Sequence, residues 1–303
     1  MRCVVRWGAV AVVLGACRGS TPLPPATLDV GVVAPVDATA EDVFEAGVAD
    51  APVAVPPDVA TPDAGTADAG APDAVAIDVP STLHVLFVGN SYTYVNDLPA
   101  HLAAMGALGP TALSVDSVTV GGATLHNHWD TGTAPARITA GGWDAVVLQE
   151  QSVNPALDPA DFSTYATRFA TLATMHGARP VFYATWPRRA GDAVYAETWS
   201  GGTPAAFGAR LDAAYTSAAA SVPGSVVAHV GVAWMAALAA VPAVNLYADD
   251  GSHPSPAGTW LAACVMYRAL TRALPTPAMD VTAAGVAPAD ARALRELAAA
   301  QAP

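Results

Sequence analysis

The chain has 303 residues, 53% of them hydrophobic and 13% charged, with 26 acidic residues against 13 basic ones and a formal net charge of −13. That sign argues against a surface that binds nucleic acid. Three cysteines, at 3, 17 and 264, form no disulfide framework within the folded part.

The N-terminal segment MRCVVRWGAVAVVLGACRGS sets Arg2 and Arg6 ahead of an apolar run, Trp7 to Ala16, that is too short to span a bilayer. It reads as a secretory signal. Leu14-Gly15-Ala16-Cys17 resembles a bacterial lipobox, which implies a signal over 1–17, lipidation of Cys17, and a protein anchored in the cell envelope facing periplasm or exterior. A plain signal peptide that happens to contain a cysteine is the alternative. Residues 18–80 are built from Pro, Ala, Val, Asp, Thr and Gly, with echoes such as TPDAGTADAGAPDA, and carry eleven acids against Arg18 alone. Such a stretch buries too little apolar surface to offset its ordering entropy, and is expected to be a disordered acidic tether.

From 81 to 303 the texture changes to short β-branched runs alternating with longer Ala/Leu-rich stretches. Strands are predicted at 85–88, 113–120, 145–148, 181–185 and 226–230, and helices at 98–108, 161–176, 205–220 and 256–270. Alternation of this kind implies crossover connections and one parallel sheet. Short, nearly all-apolar strands imply a sheet covered on both faces, hence a single three-layer α/β domain.

In an open parallel sheet, reactive loops gather at the carboxyl ends of the strands. Ser91 follows the first strand, Gly121 and Gly122 the second, Gln149 to Ser152 the third, and Trp186 to Arg189 the fourth. A serine hydroxyl needs a base within hydrogen-bond reach and a site for the oxyanion it creates. Taken alone, Ser91 is a weak signal, since a serine between a strand and a helix is more often a cap or turn residue. In LYADDGSHPSPAG, Asp250 precedes His253 by three positions in a Gly/Ser/Pro turn, close enough for the carboxylate to take the imidazole Nδ1 proton and leave Nε2 as a base. Asp249 competes for that role, and turn-capping is the plain alternative.

Taken together and in this order, Gly89-Asn90-Ser91, the glycines after the second strand, the amide loop after the third and Asp250-Gly-Ser-His253 before the last helix resemble the SGNH (GDSL-like) hydrolase superfamily. The likeness runs from Leu83 to Leu270. FVGNSYTY, SVTVGGATL, WDAVVLQEQS and DDGSHPSPAG look closest to a bacterial branch of uncharacterised, often secreted members. The resemblance implies a flavodoxin-like, five-stranded αβα sandwich and a Ser-His-Asp esterase needing no cofactor. Ser91 would be the nucleophile, His253 the base and then acid, and Asp250 its orienting partner. The oxyanion would be held by the N–H groups of Ser91 and Gly122 and by a side-chain amide, Gln149 first and Gln151 in reserve. Members usually offer Gly-x-Asn-Asp in that third loop, where this chain has LQEQS.

The resulting expectation is a serine esterase acting on acyl, above all acetyl, esters on carbohydrate. The alternatives are a non-catalytic glycan-binding lipoprotein and a lipase- or thioesterase-like enzyme. The remaining clusters read as structural: His126 and His128 share no further ligand pair that would make a metal site, Cys264 lies in an apolar run, and Glu150 has no assigned role. Trp129, Trp186 and Trp199 read as packing residues with sugar stacking as the second option. Arg188 and Arg189 read as solvated loop charges, or as binders of a substrate carboxylate or phosphate.

Overall fold

The apolar runs become five parallel strands in the computed structural model, which describes residues 82–300. The expected signal over 1–17, the lipid site at Cys17 and the tether 18–80 lie outside the described residues. The strands are β1 (Thr82–Gly89), β2 (Ala112–Thr119), β3 (Ala145–Leu148), β4 (Arg179–Ala184) and β5 (Val226–His229), hydrogen-bonded in the order β2-β1-β3-β4-β5. Val85 stands opposite Val115 on one side and Ala145 on the other, and every pairing is parallel.

Between the strands run α1 (Ser91–Tyr94), α2 (Leu98–Ala107), α3 (Leu125–Thr131), α4 (Thr133–Thr139), α5 (Asn154–Leu157), α6 (Pro159–Met175) and α7 (Pro204–Ala220). After β5 come α8 (Val230–Ala240), α9 (Pro256–Thr271) and α10 (Pro288–Ala300). Because strand side chains alternate between faces, each central strand feeds two cores. Val85, Phe87, Val147, Val181 and Tyr183 pack with residues of α2, α8, α9 and α10. Leu86, Val88, Val146, Leu148, Phe182 and Ala184 pack with α3, α4, α6 and α7. This is the expected three-layer sandwich. β1, β3 and β4 are apolar on both faces, whereas edge strand β2 carries Ser114, Asp116 and Ser117 toward partly open space.

Most helices start on a side chain that accepts an otherwise unpaired backbone N–H. Asp158 caps α6, Thr203 caps α7 and Ser255 caps α9, each with a proline in the first turn. The predicted boundaries of the longer elements agree within two residues of the observed ones, except that β1 starts three residues earlier, at Thr82. The short α1 and α5, and α3, α4, α8 and α10, have no counterpart among the predicted helices. VGVAWMAALAA of α8 has no polar face to show a helical period, since Val230, Gly231, Ala233, Trp234 and Ala237 are all buried.

Gly258 lets α9 pack closely against Trp234 of α8 and the chain at Leu246. A Cβ at Gly258, in the first turn of α9, would lie 2.2 Å from the Leu246 carbonyl oxygen and 2.5 Å from the Trp234 ring. Gly258→Ala is expected to destabilise the protein by about 1–3 kcal/mol through overpacking, read as a lower urea midpoint with an unchanged slope. An unchanged midpoint would show that α9 can shift without strain.

Candidate active site

The chain leaves β1 at Gly89 and turns at Asn90, whose extended backbone and side chain open α1: Asn90 Oδ1 accepts the Tyr92 N–H at 3.1 Å. Ser91 is thereby the first residue of a helical turn, where a backbone N–H has no intrahelical acceptor. The Asn90 amide donates to Ala123 O at 3.0 Å, tying this turn to the loop after β2. Gly122 in that loop has φ +70°, a conformation glycine takes without the steric penalty of a side chain, and lies beside Ser91 in the same cavity.

His253 arrives on a hairpin. Tyr247 and Pro254 form an antiparallel bridge, with Ala248 N donating to His253 O at 2.8 Å and Ser255 N to Leu246 O at 2.9 Å. At the tip, Asp250 divides its two oxygens. Oδ1 accepts the Ser252 and His253 N–H groups, both at 2.9 Å, and Oδ2 lies 2.5 Å from His253 Nδ1. On the other side of the ring, His253 Nε2 lies 2.8 Å from Ser91 Oγ. Burial pulls the Asp250 carboxyl upward, but the His253 hydrogen bond and the two N–H donors outweigh it and hold the group at about 2. Asp250, and not its neighbour Asp249, is the residue that meets the imidazole.

Asn96, Tyr92 and Trp186, none of them among the expected site residues, hold this arrangement. Asn96 donates to Pro254 O at 2.9 Å and Thr259 Oγ1 at 3.0 Å, linking the segment after Ser91 to the hairpin. Trp186 Nε1 donates to Ser252 O at 3.0 Å, and its ring is stacked between Tyr92 at 4.7 Å and Trp234 at 4.0 Å. Tyr92 stands edge-on to His253 and shares a 2.8 Å hydrogen bond with Ser252 Oγ. Trp186 is therefore a buried packing residue. Trp129 and Trp199 pack edge-on against Phe169 and Phe207.

The two arginines separate in role. Arg189 donates to Tyr247 O, Ala248 O and Asn245 Oδ1, and its own N–H reaches Gly251 O at 2.8 Å, so it clasps the hairpin. Arg188 lines the cavity. That cavity, about 210 Å³, is bounded by Asn90, Ser91, Tyr92, Gly122, Gln151, Ser152, Arg188, Ser252 and His253.

Gln149, the first choice of amide donor, is absent from this lining. It is fully buried, with Nε2 donating to Asn90 Oδ1 and Glu150 O and Oε1 accepting from Asn90 N and Thr93 Oγ1. All its hydrogen-bonding capacity is used behind the serine turn. The reserve, Gln151, does line the cavity. Its Oε1 accepts from Val153 N at 2.9 Å and Asn154 N at 3.3 Å, which fixes which end of the amide carries the remaining donors.

His126 and His128 sit on helix α3 with separate partners, His126 between Asp161 and Asp130, His128 against Gly89 O at 2.7 Å. No cluster of three metal-ligating side chains occurs among the described residues. Cys264 is fully buried, and burial pushes its thiol well up.

Among solved structures the chain is similar to a candidate SGNH hydrolase from Slackia heliotrinireducens, at 33% identity over 62% of this chain and 99% of that one, with a TM-score of 0.51. It is also similar to a DUF4886 family protein from Bacteroides uniformis, at 16% identity over 72% of this chain and 93% of that one, with a TM-score of 0.62. The second likeness is one of fold alone. No protein-family model matches the chain, and no curated protein does.

Behind the cavity, Glu150 is fully buried. Its carboxylate accepts from Leu125 N at 3.1 Å, at the start of α3, and from Gln151 N at 2.6 Å. Burial outweighs these donors, with the Asp161 charge adding to it, and pushes the group from an ordinary 4.5 up to about 7. Above pH 4.5 the unfolded chain gives up this proton first, so folding stability falls as pH rises from there through about 7 and then levels. The drop is expected to be roughly 3 kcal/mol at most. Urea denaturation between pH 5 and 8 should show it in the native protein and not in Glu150→Gln; the same slope in both would assign the pH dependence elsewhere.

Proposed function

The chain belongs to the SGNH (GDSL-like) hydrolases, enzymes that cleave carboxylic esters, and on that premise we propose that it hydrolyses short acyl esters, acetyl above all, through Ser91, His253 and Asp250. The observation that carries this reading is the continuous relay from Ser91 Oγ through both nitrogens of His253 to Asp250, with spacings of 2.8 and 2.5 Å. The volume of about 210 Å³ suits a small acyl group better than a lipid chain. Carbohydrate as the alcohol part is carried over from the resemblance.

Ser91 Oγ attacks the acyl carbonyl carbon while His253 Nε2 takes its proton, and Asp250 steadies the imidazolium that forms. The N–H groups of Ser91 and Gly122 and the Gln151 amide receive the oxyanion. Collapse breaks the ester C–O bond, the alcohol leaves with the proton from Nε2, and the acyl group stays on Ser91. Water then attacks this ester, giving a proton to Nε2. That proton returns to Ser91 Oγ as the acid departs.

Turnover of p-nitrophenyl acetate by the full-length protein should fall at least about 1,000-fold in Ser91→Ala. Equal rates would overturn the nucleophile assignment. Gln151→Ala should lower kcat by about 100- to 1,000-fold, with a stability loss of about 1 kcal/mol from the freed Val153 and Asn154 N–H groups; an unaffected kcat would leave the oxyanion to the two backbone donors.

A further inference from the structure

Arg188 is the cation in the wall of the catalytic cavity, and nothing in the relay uses it. Its backbone is pinned on both sides. Pro187 O accepts from Tyr247 Oη at 3.0 Å, Arg188 O accepts from Tyr195 Oη, and the next residue's N–H is bonded to Gly251 O. From this fixed base the guanidinium donates one hydrogen bond, 2.7 Å to Ser152 Oγ, and it forms no ion pair among the described residues. A guanidinium has five N–H donors in a rigid fork, so most of its donor capacity is left over.

The groups around it do not supply the missing charge. Ser152, Tyr92 and Ser252 offer neutral hydroxyls, and the Tyr92 and Ser252 hydroxyls bond each other. The carboxylate nearest the relay, Asp250, is engaged by His253 and two backbone N–H groups at the hairpin tip. Arg189, one residue on, is turned toward the hairpin carbonyls of Tyr247 and Ala248 instead. A half-buried cation facing only neutral partners is a poor use of an arginine unless a ligand completes it, because removing charge from water is unfavourable until it is paired. The fork geometry matches a planar carboxylate, which it can hold through two parallel N–H···O bonds.

We propose that Arg188 determines specificity by binding a carboxylate of the substrate, so that the enzyme prefers esters with an anionic group near the scissile bond over neutral esters of the same shape. This rests on the ester-hydrolase reading for its turnover test, but Arg188 can be tested without turnover.

Two matched pairs present the charge on either side of the ester: acetoxyacetate against acetoxyacetamide for the alcohol side, and mono-p-nitrophenyl succinate against p-nitrophenyl levulinate for the acyl side. In at least one pair the full-length protein should favour the anion roughly 10- to 100-fold in kcat/KM. Arg188→Gln should bring that ratio close to one, and Arg188→Lys should keep part of it. A ratio near one in both pairs, or a preference that survives in Arg188→Gln, overturns the proposal while leaving the esterase intact. Loss of all Ser91-dependent turnover would strike the esterase reading instead. Calorimetric binding of glutarate against glutaramide to Ser91→Ala, with and without Arg188→Gln, then decides: anion-selective binding that needs Arg188 supports the proposal, and equal binding of both probes overturns it.

Discussion

The site depends on a pair of interlocked amides under its floor. Asn90 and Gln149 stand at the carboxyl ends of adjacent strands β1 and β3. Gln149 Oε1 takes the Asn90 backbone N–H, while Gln149 Nε2 gives to Asn90 Oδ1. Both residues are almost wholly excluded from water, so each unsatisfied group would be costly, and the arrangement tolerates one geometry. Asn90 Oδ1 also takes the Tyr92 N–H and its amide reaches Ala123 O. One buried contact thus aims Ser91, starts α1 and anchors the loop of Gly122.

The second half of the constellation is held differently. The His253 hairpin has an exposed tip, with the Asp250 side chain 48% accessible, so desolvation does little to strengthen its contact with the imidazole. Orientation comes from short-range hydrogen bonds within the turn and from the stem, where Arg189, Asn96 and Trp186 grip carbonyl oxygens from three directions. The aromatic stack of Tyr92, Trp186 and Trp234 joins the serine turn to the hairpin and to α8, so the two halves meet across rings as well as across the Ser91–His253 bond.

Much of this was legible in the sequence where a single local rule governs. The run Ala145–Leu148 is buried on both faces and reads as a strand with no ambiguity, and Ser255 with Pro256 announces the start of α9. The pairing of Asp250 with His253 was legible as one option of a short turn, and the resemblance rather than the spacing favoured Asp250 over Asp249. Choosing between Gln149 and Gln151 was not. They differ only in which way the chain faces as it leaves β3, and the buried partner that claims Gln149 comes from β1, 59 residues earlier. Glu150 was equally opaque: its burial is decided by the start of α3, which has no strong period of its own. The pairing of His126 and His128 dissolves for a related reason, since two positions along a helix turn side chains well apart whereas along a strand they would share a face.

The chain order of the site carries a consequence for its biosynthesis. Ser91 and His253 are 162 positions apart, and the hairpin that brings the imidazole is stapled to elements on both sides of the sheet's centre. Under the proposed relay, a nascent chain exposes its hydroxyl early and remains chemically mute until nearly all of the sandwich has emerged and closed. Reactivity is in this sense a late property of the polypeptide, withheld by topology throughout its synthesis.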